Sequence, residues 1–294
     1  MTGKDVKGMK IGISTDCICD LPEDYLLANG VDVMHFYIHT ATGRFRDGDE
    51  ITSDNILEYL ESGEVIVRSN VPDAPEYKKF FDRNLKKYDV LIHITTSDKV
   101  GRSYPNATTA LKTLMLPKDA QRVTLVNSMS LSTGLGHMVL RAVALRDEGK
   151  SVPEIVEECE RMRDKIASSF IVPNADYLYR MGYVGRGVQI LSRLFHIHPV
   201  IAIKNGKLGV KSFQLGNYDK AILRYVRSEF QQSETIDRRQ LFITHAGSPA
   251  RIIGQIKDMA DALCPFENVT VTKASAAISS NCGPETVGVL FVHE

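Results

Sequence analysis

Short apolar runs of strand length alternate with helically spaced apolar positions through the first half of this chain, and that alternation restricts the fold more than any other feature. Strands are predicted at residues 10–14, 31–39, 90–94 and 122–126. Between them, Ile56, Leu57 and Leu60, with Gly63 as the stop, and then Tyr77, Phe80, Phe81 and Leu85 recur at spacings of three and four, which marks amphipathic helices. Residues 69–75 read as a rigid loop with two prolines, and long helices are predicted at 133–148 and 152–169. Strand, helix, strand in this order implies parallel βαβ units. The pattern then changes. Asn205-Gly206 is a strong hairpin signal between strands predicted at 200–204 and 208–211. Helices at 218–230 and 249–263 and strands at 240–244, 269–273 and 287–292 complete the chain. The expected architecture is α/β with two domains: 1–165 with a largely parallel sheet, and 166–294 with a mixed sheet and helices.

A length of 294 residues is large for one core and fits this division. Lys plus Arg and Asp plus Glu are both 36, which argues against nucleic acid as a partner. No apolar run reaches the roughly 20 residues that a bilayer requires, and the first ten residues lack the apolar segment of a signal peptide. The expectation is a soluble, cytoplasmic protein without a transmembrane segment. Five scattered cysteines, Cys17, Cys19, Cys159, Cys264 and Cys282, suit reduced thiols. The Cys17-Ile18-Cys19 spacing has no second ligand pair, so no metal is expected.

The stretch DVLIHITTSDKVGRSYPNA, residues 89–107, is a strand, a hydroxyl-rich loop and a helix start. Such junctions present small hydroxyls and backbone N–H groups at the carboxyl end of a strand, where open α/β sheets take ligands and where a helix start favours an anion. Helix capping by the same serines and threonines is the plainer reading. GYVGRG at 182–187 has the glycines of a nucleotide loop but no Lys-Ser/Thr ending. His196 and His198 read as strand-edge residues, and no spacing pairs Cys282 with His245 as nucleophile and base.

Residues 93–107 align without gaps on the loop of the DegV family, written h-i-s-x-S-s-x-h-S-G-T-Y-x-x-A, and further segments follow in that family's order. STDCICDLPEDYL (14–26) resembles its D-S-x-x-D-L-P opening, and Asp47 to Ile51 with Thr52 and Ser53 its Y-x-D-x-x-I-T. VNSMSLSTGLG (126–136), IHPVIAIKNGKL (197–208), THAG (244–247) and NCGPETVG (281–288) resemble later motifs. The resemblance spans nearly the whole chain. It implies a non-enzymatic carrier or presenter of a long-chain fatty acid, or a related amphiphile, with the tail buried and the carboxylate held near the inter-domain cleft. It implies no cofactor beyond the bound fatty acid, and transient membrane contact for lipid exchange. A small-molecule enzyme working in the same cleft is the alternative.

The family's head-group residues carry over one at a time. Its loop threonine falls on Ser69 by counting back from Tyr77, or on Arg68 by counting forward from Ile51. The serine of S-G-T-Y becomes Gly101, its glycine Arg102 and its threonine Ser103; the late histidine becomes Asn281, beside Cys282. The expected head-group set is Ser69, Ser97, Gly101, Arg102, Ser103 and Asn281, with Arg68 and Cys282 less firmly placed. An arginine there would suit a carboxylate through its planar fork. The family also implies a fatty acid kinase as partner. The first arginine associated with that partner counts to Tyr183, and residues 208–223 hold no arginine, so lipid binding carries over more directly than delivery to a kinase.

Overall fold

The structure, a computed structural model, describes residues 8–62, 67–180, 182, 184–231 and 233–294. In chain order its strands are β1 (Ile11–Asp16), β2 (Val31–Met34), β3 (Tyr37–His39), β4 (Arg44–Arg46), β5 (Arg68–Asn70), β6 (Val90–Thr95), β7 (Val123–Asn127), β8 (Ile166–Ile171), β9 (Ile197–Lys204), β10 (Lys207–Leu215), β11 (Ile236–His245), β12 (Val269–Lys273) and β13 (Val287–His293). They form a four-stranded sheet, β2-β1-β6-β7, a six-stranded sheet, β10-β9-β8-β13-β11-β12, and a small sheet, β4-β3-β5. The four-stranded sheet is parallel throughout. In the six-stranded sheet only β11 and β12 run parallel. The expected α/β class, with one parallel and one mixed sheet, is what the chain adopts.

One helix, Ser132–Asp147, is buried on nearly all sides. Leu135, Met138, Val139, Ala142 and Val143 pack in one core with Ile13, Ile92, Ile94 and Val126 of the parallel sheet and with Phe242, Leu290 and Val292 of the mixed sheet. A helix between two apolar faces needs apolar or small residues all round. Close approach explains its glycines: a Cβ on Gly134 would stand 2.1 Å from Ser168 Oγ and 2.3 Å from Ser130 Oγ. The far face of the mixed sheet is covered by helices Tyr218–Phe230 and Ala250–Leu263, whose Tyr225, Val226, Ile252 and Ile256 meet Ile171, Ile243, Val289 and Phe291.

Three expectations need correction. The strand predicted at 31–39 is two strands in different sheets: the chain leaves the parallel sheet at Met34, and Tyr37–His39 pairs antiparallel with β4 and β5. At the break, Phe36 N–H donates to Cys17 Sγ, and His35 Nδ1 lies 2.8 Å from the Asp47 carbonyl. Apolar alternation continues through a change of partner, so it hides the break. The predicted loop at 69–75 begins inside β5. The helix predicted at 152–169 stops at Met162, and Ile166–Ile171 is a strand paired with β9 and β13; Ile166 fell on the helical spacing by coincidence. Gly63, expected to end the helix Ser53–Glu61, lies outside the described residues.

The hairpin signal at Asn205-Gly206 is met: β9 and β10 pair antiparallel around φ values of 51° and 79°, the left-handed geometry of a tight two-residue turn. The hairpin tip is held against the hydroxyl-rich loop, for Ser97 Oγ donates to the Gly206 carbonyl at 2.7 Å and Lys99 Nζ to the Asn205 carbonyl at 2.8 Å. A Cβ on Gly206 would lie 2.7 Å from Ser97 Oγ. Gly206→Ala is therefore expected to cost about 1–3 kcal/mol, from positive φ and from the displaced serine. Urea unfolding of the two proteins measures it, and equal midpoints would show that the tip is free to shift.

Candidate functional site

In the parallel sheet the chain runs from β1 to β2 on one side, and β6 then takes the other side of β1. Ligands in open α/β sheets bind outside the carboxyl ends of strands at such a reversal. Here the carboxyl end of β1 supplies Asp16 and the end of β6 leads into Thr96. Asp16 is fully buried. It accepts from Thr96 N–H at 2.8 Å and Ser103 Oγ at 2.6 Å on Oδ2, and from the Tyr77 hydroxyl at 2.9 Å on Oδ1. Tyr77 and Ser103 are themselves 2.7 Å apart. His93 Nε2 stands 3.6 Å from Asp16 Oδ1, and its Nδ1 is 3.0 Å from Ser14 Oγ.

Burial works to raise the Asp16 carboxyl, but His93, Ser103 and the Thr96 N–H together outweigh it and hold the group below the ordinary aspartate range. The Tyr77 phenol is pushed well up by burial and by the Asp16 charge, so it remains a donor. Two more carboxylates sit nearby with the opposite shift. Asp20, at φ 52°, accepts from Ser132 Oγ at 2.6 Å and from Ser275 N–H at 2.9 Å; burial raises it to about 7. Asp47 accepts from Ala276 and Ala277 N–H, and burial raises it to about 6.

An internal cavity opens against this junction, with about 150 Å³ available to the centre of a water-sized sphere, roughly ten times what one buried water needs. Its walls are largely apolar. Ile18, Phe36, Val71 and Val100 come from the first half of the chain; Phe170, Ile203, Ile278 and Leu290 come from the second. Among the described residues that line it there is no lysine or arginine.

Of the expected head-group residues, the structure brings Ser69, Gly101, Ser103 and Asn281 to this cavity, along with Cys282. Asn281 Nδ2 donates to Ser69 Oγ at 3.2 Å. β5 alternates outward, inward, outward, so Ser69 turns inward and Arg68 is exposed. Ser97 is placed elsewhere: it is fully buried, donates to the hairpin tip and is not part of the lining. Arg102 is exposed, just before the helix Ser103–Thr109. Capping does not explain these serines either, since Ser69 lies in a strand and the Ser103 hydroxyl goes to Asp16. Sequence reasoning did not single out Asp16, Asp20, Asp47, Tyr77, His93 or Ser132, and it took Thr96 only as part of a hydroxyl-rich loop. Thr96 is 2% exposed, lines the cavity, and its Oγ1 has no hydrogen-bond partner among the described residues.

A thiol nucleophile gains no support here. Enclosure, with the Asp20 charge added, pushes Cys282 up to about 12, whereas a reactive cysteine needs a depressed value. His245 also lines the cavity, and Ser248 N–H donates to its Nδ1 at 3.1 Å. All five cysteines are free, and no group of three or more metal-binding side chains gathers among the described residues. No helix among them is long and apolar enough to cross a membrane.

Two sheets closing on a largely apolar cavity with scattered hydroxyls in its lining define an α/β protein with an enclosed pocket. The family description "Uncharacterised protein, DegV family" matches residues 10–294, and the chain belongs to the DegV family. It is 25% identical over 284 residues to a DegV domain-containing protein of Caldanaerobacter subterraneus subsp. tengcongensis, covering 96% of this chain and 98% of that one. A Deinococcus radiodurans relative is 25% identical over 290 residues, with coverage of 96% and 98%. Among solved structures, a Thermus thermophilus DegV family protein described for its fatty acid binding superposes with a TM-score of 0.83 at 26% identity, covering 97% of this chain and all (100%) of that one. A Eubacterium eligens DegV family protein loaded with heptadecanoic acid has the same fold, with a TM-score of 0.83, 17% identity and coverage of 97% and 100%.

Proposed function

We infer that this protein binds a long-chain fatty acid, with the alkyl tail in the apolar cavity and the carboxyl group toward Ser69, Thr96, Ser103 and Asn281, and that it carries the acid without changing it chemically. The observation that carries this reading is the cavity itself: an apolar-walled interior space whose lining includes small hydroxyls, Thr96 and Ser103 among them at the sheet reversal. Each methylene buried contributes about 0.8 kcal/mol, so a long tail supplies a large gross driving force, reduced by the cost of association and ordering. Fatty acid binding by the Thermus relative supports the same reading. Residues 1–165 and 166–294, taken as two domains, each supply part of the wall.

Exchange with a membrane fits an exposed apolar face on the helix Arg186–Leu194, where Ile190 and Leu191 are about half exposed and Leu194 and Phe195 are 68% and 63% exposed. Such a face, amphipathic and near the cavity wall residue Leu178 in sequence, suits contact with a lipid surface. A kinase partner forms no part of this reading; Tyr183, where the family's arginine was expected, lies outside the described residues.

Delipidated protein titrated with palmitic acid should melt several degrees higher, because ligand at about 100 times its Kd adds about 2.7 kcal/mol of stability. Ala277 lines the cavity and is 3% exposed, so Ala277→Leu should remove that increment while leaving the lipid-free protein folded. Purified protein that yields no lipid on extraction, with no rise in melting temperature, would overturn the assignment.

A further inference from the structure

The hydroxyl protons at the head-group end can be counted, and the count decides what kind of head they accept. Asp16 is ionised and takes both the Ser103 and the Tyr77 hydroxyl protons, whether directly or with Tyr77 donating through Ser103. Ser103 therefore has only a lone pair to offer the cavity. Among the head-group residues the free donors are the Thr96 hydroxyl, buried without a partner, the Ser69 hydroxyl, which accepts from Asn281 and keeps its own proton, and the second N–H of the Asn281 amide. This arrangement offers hydrogens at Thr96, Ser69 and Asn281 and lone pairs at Ser103 and the Asn281 amide oxygen, so a head bound across it must donate as well as accept. A protonated carboxyl matches it, with a carbonyl that accepts and an O–H that donates.

We propose that the cavity takes its amphiphile with an uncharged head, a fatty acid entering as the neutral carboxylic acid; this rests on the fatty-acid reading above. A head that donates to Ser103 would stand one hydroxyl away from the Asp16 carboxylate, and two carboxyl groups so linked in one enclosed site share one proton rather than both ionising. Asp16 is the member that stays ionised, because it already holds three donors: a backbone N–H and two hydroxyls. Every other titratable group around the pair leaves that division in place. Tyr77 from the helix Ala74–Asn84 is a neutral donor. His93 from β6 faces Asp16 and is hydrogen-bonded at its other nitrogen to Ser14. Cys17 and Cys19 on the following turn are thiols pushed up by burial, and Cys282 behaves likewise. His245, lowered by burial and by Lys273, is neutral. Asp20 lies behind Ser132, Asp47 at the start of the helix Ala276–Cys282, and Lys99 is turned to the hairpin tip. Arg68 and Arg102 are exposed rather than in the lining.

The test uses the full chain and palmitic acid labelled with carbon-13 at its carboxyl. Bound to the protein, that carbon should resonate where a protonated carboxyl does and stay there across about pH 6 to 8. Hexadecanol should bind within about tenfold of palmitic acid, and the permanently charged hexadecyl sulfate at least about 100-fold more weakly than hexadecanol. Thr96→Val, which keeps shape and removes the donor, should weaken palmitic acid roughly fivefold. A bound carbon that resonates as carboxylate, or hexadecyl sulfate binding as tightly as hexadecanol, overturns the proposal and leaves fatty acid binding standing. Failure of both palmitic acid and hexadecanol to bind overturns both.

Discussion

Asp16→Ala is expected to destabilise the protein by about 3–5 kcal/mol, among the largest single effects available in this structure. The substitution leaves the Thr96 N–H, the Ser103 hydroxyl and the Tyr77 hydroxyl without their shared acceptor, and all three sit at full or nearly full burial. A buried donor left unsatisfied costs about 1–3 kcal/mol. Ser103 and Tyr77 can still bond one another across 2.7 Å, which limits the sum. Tyr77→Phe provides the contrast. It keeps the ring against Phe81 and His93 and removes one of three donors, so about 1–2 kcal/mol is expected. Urea midpoints at unchanged m separate the two. If Asp16→Ala unfolded no more readily than Tyr77→Phe, the carboxylate would not be the tie that joins β1, β6 and the helix Ala74–Asn84.

The same tie explains what the sequence could and could not disclose. The helix Tyr218–Phe230 and the strand Val269–Lys273 are read to the residue, and the hairpin at Asn205-Gly206 is read from two letters, because each is fixed by neighbours within a few positions. Asp16, by contrast, reaches Tyr77, Thr96 and Ser103 across 61 to 87 residues, and Asp20 reaches Ser275 across 255. No local period encodes such pairs. Within the hydroxyl-rich loop, composition did not distinguish Ser97, turned to a hairpin more than 100 residues away, from Thr96, which lines the cavity. Alternation along β5 would have settled Ser69 against Arg68 had that strand been recognised, but three residues beside a proline-rich segment give too short a pattern to read.

Asp20 carries the second large expectation, and its sign is opposite to the familiar one for a paired carboxylate. Its folded value of about 7 lies above the ordinary unfolded value near 3.9. A raised group binds its proton more tightly in the native state, so the stability it contributes is fully present below about pH 4 and is lost as pH rises through 7. Three pH units correspond to roughly 4 kcal/mol. Asp47, raised to about 6, acts in the same direction. Asp16 and the depressed exposed carboxylates act oppositely toward acid, as does buried His137, lowered to about 4, so the whole-protein curve mixes these trends. Asp20→Asn isolates one of them: the variant should gain on wild type by up to about 4 kcal/mol between about pH 4 and pH 8 when urea unfolding is repeated at each pH. Parallel curves would mean that the Asp20 carboxyl titrates as it does in water. Because Asp20 accepts from Ser132 and from the residue that opens the helix bearing Asn281, its proton also bears on how firmly two cavity walls are held. Wild type and variant should then differ in palmitic acid affinity near neutral pH and converge near pH 4, where both carry an uncharged group at position 20.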